Sequence, residues 1–267
     1  MLAAYIIRDL RLLMVGRVKI FNKAVIEEEH KRLIAATAQS DRESWQFADL
    51  SHVITQGMRT YPGLPGPFIC DHMSFAASRS FYAGGAEFQI GKIEMVANTG
   101  TYLDSPYHRY ETKSDLSRIL LPSISHVPGV VIRLAGLQDR SIDWSLLAAN
   151  DIRGRAVLLH TGWDRYWGSE QYFDGHPFLT EAAAEFLRRE GAVLVGIDSL
   201  NIDDLGNLNR PVHSILLGAD IPVVEHLTGL AQLPNQEFFF SAVPPKISGM
   251  GTFPVRAHAF WPTLAKR

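Results

Sequence analysis

The feature that most constrains this 267-residue chain is an ordered run of three segments in its second half. Ala156 to His160 is a compact apolar stretch. Thr180 to Arg189 carries apolar residues at helical spacing and stops at Gly191, and Ala192 to Ile197 is apolar again. Strand, helix, strand in that order reads as a βαβ crossover and hence a parallel strand pair. The crossover commits the chain to an α/β sheet. It also puts Asp198-Ser199 at the carboxyl end of a strand, where open α/β sheets place their ligands. Asp198 reads equally well as a site residue or as a helix N-cap.

Further strands are expected at Phe47–Ile54, Phe68–Ser74 and Ala86–Val96, the last two joined by a Gly84-Gly85 turn. Others are expected at Val127–Leu134, Ile221–Leu227, Phe238–Ala242 and Phe253–Phe260. Asp143 to Ala149 reads as a short helix capped by Asp143, and Pro211 to Leu217 as a helical turn with proline near its first position. At 46% hydrophobic residues the chain can bury a sizeable core, and no repeat or linker divides it. Residues 45–267 are therefore expected to form one domain. Residues 1–44 are read as an N-terminal arm, with a helix at Asn22–Ala38.

A formal net charge of -2 supplies no attraction for nucleic acid or an anionic membrane, and neither is expected as a partner. Charged residues from Arg8 to Lys19 interrupt the apolar N-terminus well short of a membrane span. A single cysteine, Cys70, excludes an intrachain disulfide and any cysteine-based zinc cluster, which suits a cytoplasmic protein.

The stretch Asn98-Thr-Gly-Thr-Tyr102-Leu-Asp104-Ser-Pro-Tyr-His108-Arg109 gathers an amide, a phenol, a carboxylate and an imidazole on a Gly/Pro frame. Gly100 lets the backbone turn and Pro106 stiffens the exit. Polar groups held this way after an apolar run suit a reaction centre, although a capped hairpin turn has the same composition. His52 and His72 could reach such a centre, but neither has a ligand partner close in sequence.

This stretch resembles the signature of the cyclase family, which includes bacterial kynurenine formamidases and isatin hydrolases. That signature runs His-x-Gly-Thr-His-x-Asp-x-Pro-x-His. Gly100, Thr101, Asp104, Pro106 and His108 match it, while Asn98 and Tyr102 replace its two leading histidines. Asp49-Leu-Ser-His52, Tyr61-Pro-Gly-Leu-Pro65, Thr161-Gly-Trp-Asp164, Gly196-Ile-Asp-Ser199 and His213 through Glu225 resemble further landmarks in family order. The resemblance implies an α/β fold, described as a swivelling β/β/α domain with a mixed sheet and flanking helices, assembled as a homodimer or homotetramer.

The resemblance further implies that Asp104, His213 and Glu225 hold a divalent ion, Zn or Mn, and that His108 is catalytic. An imidazole with two carboxylates is a reasonable site for either metal. A second metal position would have only Asn98, Tyr102 and Asp104; an amide oxygen binds zinc weakly, and a phenol must first lose its proton. One ion is therefore expected, with Tyr102 free to donate a hydrogen bond to substrate instead. Tyr61, Phe88 and Trp163 are candidates to line an aryl pocket. In the family reaction a metal lowers the pKa of water from 15.7 towards about 7. A histidine then carries a proton to the leaving nitrogen, which contributes roughly 10²- to 10⁴-fold.

The expected function is hydrolysis of a small amide, lactam or lactone, an arylformamidase-like cleavage of a C–N bond other than a peptide bond. A binding protein on the same scaffold and a metal-dependent lyase or dehydratase remain alternatives. Tightly held metal would separate the first and last from the second.

Overall fold

A nine-stranded mixed sheet carries the fold in the computed structural model of the chain, which describes residues 44–263. The described residues form 13 strands, beginning with β1 (Trp45–Asp49), β2 (Phe68–Met73), β3 (Ile90–Glu94) and β4 (Tyr102–Asp104). Next come β5 (Val127–Arg133), β6 (Ser141–Ile142), β7 (Ala156–His160), β8 (Phe178–Leu179) and β9 (Leu194–Ile197). The last four are β10 (Val223–Glu225), β11 (Gln236–Ser241), β12 (Thr252–Pro254) and β13 (His258–Pro262). Among the described residues the α-helices are α1 (Phe75–Ser78), α2 (Glu181–Glu190) and α3 (Pro211–Gly218).

The main sheet runs β1-β13-β11-β5-β7-β9-β10-β4-β12, while β2 pairs with β3 and β6 with β8 in small separate sheets. β5, β7, β9 and β10 are parallel neighbours, so the crossover from β7 through α2 to β9 is present as expected. Antiparallel strands extend both sides of this parallel centre. Gln46–Pro262 forms one compact unit. The expected N-terminal arm and its helix at Asn22–Ala38 lie outside the described residues.

Strand alternation builds a core on each face. Val130, Ile132, Val157, Leu159, Val195 and Ile197 meet Ala183, Ala184 and Leu187 of α2 and Leu216 and Leu217 of α3. The intervening Val131, Ala156, Leu158, Leu194, Val224 and Leu103 meet Leu50, Phe238 and Phe240 on the other side. Strands covered on both faces must be apolar at every position, which is why β7 and β9 read as continuous apolar runs. Full burial stabilises by roughly 1.5–3 kcal/mol per large aliphatic side chain. Thr180 caps α2 by accepting from Ala183 N at 3.1 Å, and Gly191 ends it at φ 81°.

Several expected elements change. Phe253–Phe260 is not one strand but two on opposite sides of the sheet. Pro254 has no N–H to give, and β12 is an edge strand where that is tolerated. Beyond it Val255 N donates to Thr101 O, and Ala257 O accepts from Leu50 N, each at 2.9 Å. Asp143 does cap, accepting from Ser145 N at 3.1 Å, but it starts a single turn of 3₁₀ helix at Trp144–Leu146. Asp198 caps no helix among the described residues and does not line the cavity over Asp104. It accepts from Thr161 N and Oγ1 at 2.9 and 2.5 Å and from Gly162 N at 2.8 Å, fastening the end of β9 to the loop after β7.

Candidate active site

The site is assembled by the register of three strands. β4 lies between β10 and β12, with Tyr102 opposite Glu225 and Asp104 opposite Thr252. Alternation sends Leu103 into the core and Tyr102 and Asp104 together to the other face. Gly100 is left-handed at φ 65°, and a Cβ there would stand 3.1 Å from Ile54 Cγ1. Thr101 Oγ1 donates to His226 O at 2.6 Å and accepts from His52 N at 3.0 Å, which locks the frame before β4. After β4, Ser105 N and Oγ both donate to Gly251 O, at 2.7 and 2.9 Å. The Pro106–His108 turn then delivers His108 so closely that a Cβ on Gly251 would lie 2.6 Å from its backbone.

Asp104 is fully buried, and its two oxygens differ. Oδ1 accepts from the Thr252 hydroxyl, whereas Oδ2 is buried without a hydrogen-bond partner. His213 Nε2 stands 3.6 Å from Asp104 Oδ2 and 3.7 Å from Glu225 Oε1. Its Nδ1 is 2.6 Å from Asp203 Oδ2, which fixes the ring with Nε2 towards the two carboxylates. Asp203 also accepts from Val212 N and His213 N at 2.8 and 3.0 Å, so one carboxylate satisfies the start of α3 and aims its histidine. Since Thr252 gives its proton to Asp104, the 2.7 Å contact to His108 Nδ1 is donated by the imidazole. His108 is thereby held with Nε2 free.

Charge balance follows from this packing. Burial opposes a charge on His213, but Asp104, Asp203 and Glu225 around it push its pKa up to about 10. Burial would also raise Asp104, but His108, His213 and the Thr252 hydroxyl hold it below the usual carboxylate range. Glu225 is pushed up to about 7, by burial first and by Asp104, against the pull of His213. Three carboxylates around one imidazole call for a cation, and the unpartnered Asp104 Oδ2 is a donor atom with nothing to hold. Among the described residues the one group whose ligand atoms all lie within 4.8 Å of one another is Asp104, His108 and His213, which has His108 where the expected set has Glu225. The residues fit one divalent ion.

Asn98 and Tyr102 are otherwise engaged. The Tyr102 hydroxyl donates to Glu225 Oε2 at 2.7 Å, and Asn98 hydrogen-bonds the phenol. Burial drives the pKa of His226 down to about 3, so it is neutral and carries one ring proton. With the Tyr102 proton committed to Glu225, the 3.3 Å contact must be donated by His226 Nε2, and Nδ1 accepts from Tyr172 at 2.8 Å. A directional chain runs from Tyr172 to His226 to Tyr102 to Glu225. Tyr102 therefore holds Glu225 and is not free to donate to a substrate, contrary to expectation. His52 stacks on Trp167 with ring centroids 3.9 Å apart and takes no part.

A cavity of about 430 Å³ opens over these groups, lined by Tyr61, Asn98, Tyr102, Asp104, His108, His213 and Glu225 among others. Phe88 and Trp163, the other expected pocket aromatics, stand elsewhere. Phe88 packs edge-on against Phe81 and Tyr82. Trp163 packs on Tyr166 and donates its Nε1–H to Tyr172 O at 3.1 Å. Thr252, Asp203, Asn201 and Arg210 belong to the site but were not anticipated. The acidic pair Asp203-Asp204, ten positions before His213, was the one available hint.

Residues 48–204 match the family model described as Cyclase. The chain belongs to the Cyclase family. It is 26% identical to kynurenine formamidase of Bacillus cytotoxicus over 216 residues, 79% of this chain and 96% of that protein. Against kynurenine formamidase of Geobacillus thermodenitrificans it is 28% identical, over 66% of this chain and 81% of that one. A solved potential metal-dependent hydrolase with cyclase activity superposes with a TM-score of 0.67 at 26% identity, over 81% and 98% of the two chains. Isatin hydrolase A from Ralstonia solanacearum shares the fold, with a TM-score of 0.73 at 21% identity over 92% and 100%. The expected α/β fold of this family is borne out, as is a family of hydrolases acting on C–N bonds other than peptide bonds.

Proposed function

We propose that this chain is a metal-dependent hydrolase that cleaves the C–N bond of a small amide, with N-formyl arylamines the first class to test. The observation that carries the reading is the buried, unpartnered Asp104 Oδ2, 3.6 Å from His213 Nε2, on the floor of a cavity in a Cyclase-family frame. Asp104, His213 and Glu225 would hold the ion. When bound, Zn or Mn would polarise the amide carbonyl and lower the pKa of water from 15.7 towards about 7.

The protein's own groups do the rest. Asp203 holds the Nδ1 proton of His213, so Nε2 is the nitrogen that would give up its proton and bind the ion. Thr252 orients Asp104 and His108 at once. His108 is 36% exposed while Asp104, His213 and Glu225 are buried, which makes it the group able to exchange protons with solvent. Its free Nε2 takes the proton from the attacking water as the new C–O bond forms and passes it to the nitrogen as C–N breaks. Tyr102, itself hydrogen-bonded by Asn98, keeps Glu225 in place by donating its hydroxyl to Oε2.

The test is release of aniline from N-formylaniline by the metal-loaded protein. Turnover should vanish with a chelator and in Asp104→Asn. A protein that retains metal yet releases no amine from any N-acyl arylamine would overturn the hydrolytic step. One that retains no metal would overturn the centre itself.

A further inference from the structure

Two neighbours in sequence reach the hydroxyl of Tyr102. Glu225 Oε2 accepts its proton at 2.7 Å, and His226 Nε2 stands 3.3 Å from the same oxygen. We infer that His226 and Tyr172, neither of which lines the cavity, are positioning residues of the metal centre. Tyr172 fixes which ring nitrogen of His226 carries the proton, and His226 in turn makes Tyr102 give its own proton to Glu225. The inference rests on the metal centre of the hydrolase reading and extends it behind the cavity wall.

Adjacent residues of a strand point to opposite faces, so Glu225 and His226 would not ordinarily meet one group. His226 is left-handed at φ 56°, where residues other than glycine are uncommon, and this turn at the end of β10 brings both side chains to Tyr102. The surroundings impose that backbone. His226 O accepts from Thr101 Oγ1 at 2.6 Å, and Leu227 N donates to Ile197 O at 3.0 Å. The rings are packed as firmly. Trp167 lies edge-on to His226 and Tyr172, with centroids 5.6 and 5.0 Å away, and Tyr102 lies edge-on to His226 at 5.0 Å. His226 and Tyr172 are fully buried, so each N–H and O–H must find its partner within the protein.

A neutral imidazole offers one donor and one acceptor, so the chain could run in either of two directions. With the ring proton on Nε2, Tyr172 donates to Nδ1 at 2.8 Å, Nε2–H donates to Tyr102, and Tyr102 donates to Glu225. With the proton on Nδ1, Nε2 takes the Tyr102 proton and Glu225 Oε2 faces a phenol oxygen with no proton between them. The buried Tyr172 proton is then left without an acceptor, since among the described residues its hydroxyl has no hydrogen-bond partner but His226. Tyr172 therefore selects the first direction. The consequence reaches the ion through Glu225. Its Oε2 is engaged by Tyr102, with Asn201 Nδ2 at 3.5 Å, while Oε1 accepts from Ile202 N at 2.7 Å and faces His213 Nε2 at 3.7 Å. Reversing the chain would release Oε2 and let the carboxylate turn away from His213.

The experiment is a double-mutant cycle read as zinc affinity, by competition with a chromogenic chelator. Tyr172→Phe keeps the ring and removes the proton that sets the direction, and it should weaken zinc binding roughly threefold or more. In a Tyr102→Phe background the same substitution should change nothing, because the hydroxyl through which it acts is gone. His226→Gln, which keeps an N–H in the place of Nε2–H, should bind zinc more tightly than His226→Leu. Nitrogen NMR of the histidine side chains should find the His226 proton on Nε2 in the parent and partly on Nδ1 in Tyr172→Phe. A smaller fall in Tyr172→Phe, an equal fall in the Tyr102→Phe background, or a parent ring protonated on Nδ1 overturns the positioning role. None of these readouts uses turnover, so zinc binding in this pattern without amine release would keep the role while the hydrolytic step fails. A parent that binds no zinc would overturn the role together with the centre.

Discussion

Thr252→Val is the substitution whose consequence the structure specifies most closely. The hydroxyl is buried, donates to Asp104 Oδ1 and accepts from His108 Nδ1 at 2.7 Å. Valine fills nearly the same volume, so the change removes hydrogen bonds and little packing. Asp104 then loses its hydroxyl donor on one oxygen while the other already lacks a partner. A buried acceptor left unsatisfied costs about 1–3 kcal/mol, and partners that orient metal ligands typically contribute 10- to 100-fold in metal affinity or activity. Competition with a chromogenic chelator should show metal affinity falling by about 10- to 100-fold. kcat/KM on N-formylaniline should fall further, since His108 also loses its anchor. Thr252→Ser should recover most of both. A Thr252→Val protein with metal affinity and kcat/KM within twofold of the parent would refute the idea that this hydroxyl organises the site.

His108→Ala should lower kcat by roughly 10²-fold or more while metal stoichiometry by elemental analysis stays unchanged; loss of the metal would make His108 a ligand instead. Metal affinity should rise with pH, because His213 holds a proton up to about 10 that the ion must displace. The slope between pH 7 and 8 should be about tenfold per unit, measured by chelator competition, and steeper below 7 where Glu225 also binds a proton. A flat profile would remove His213 from the ligand set. Gly251→Ala should abolish most turnover through its clash with the His108 backbone, read as a fall in kcat/KM with the fold checked by circular dichroism.

Elements made by local pattern were legible in the sequence, and those made by register were not. β7, α2 and β9 announce themselves because burial on both faces and an amphipathic stripe leave their mark within ten residues. The polar groups around Asp104 were visible for the same reason: they crowd into one short stretch. Thr252 was invisible, since it reaches Asp104 across 148 residues through a strand pairing no local pattern encodes. Arg210 owes its place to a left-handed backbone that its residue type does not advertise. Aromatic content could not say which rings line the cavity, so Tyr61 was placed there and Phe88 and Trp163 were not. Tyr102 was located, but its role depended on Glu225 standing opposite in β10 to take its proton.

The most direct test of the central claim is a titration of metal-stripped protein with Zn or Mn while aniline release from N-formylaniline is followed. The account predicts activity rising linearly to a break at one equivalent per chain, because the Tyr102 hydroxyl is spent on Glu225 and Asn98 on the Tyr102 phenol. A break at two equivalents, or full activity in the stripped protein, would contradict it.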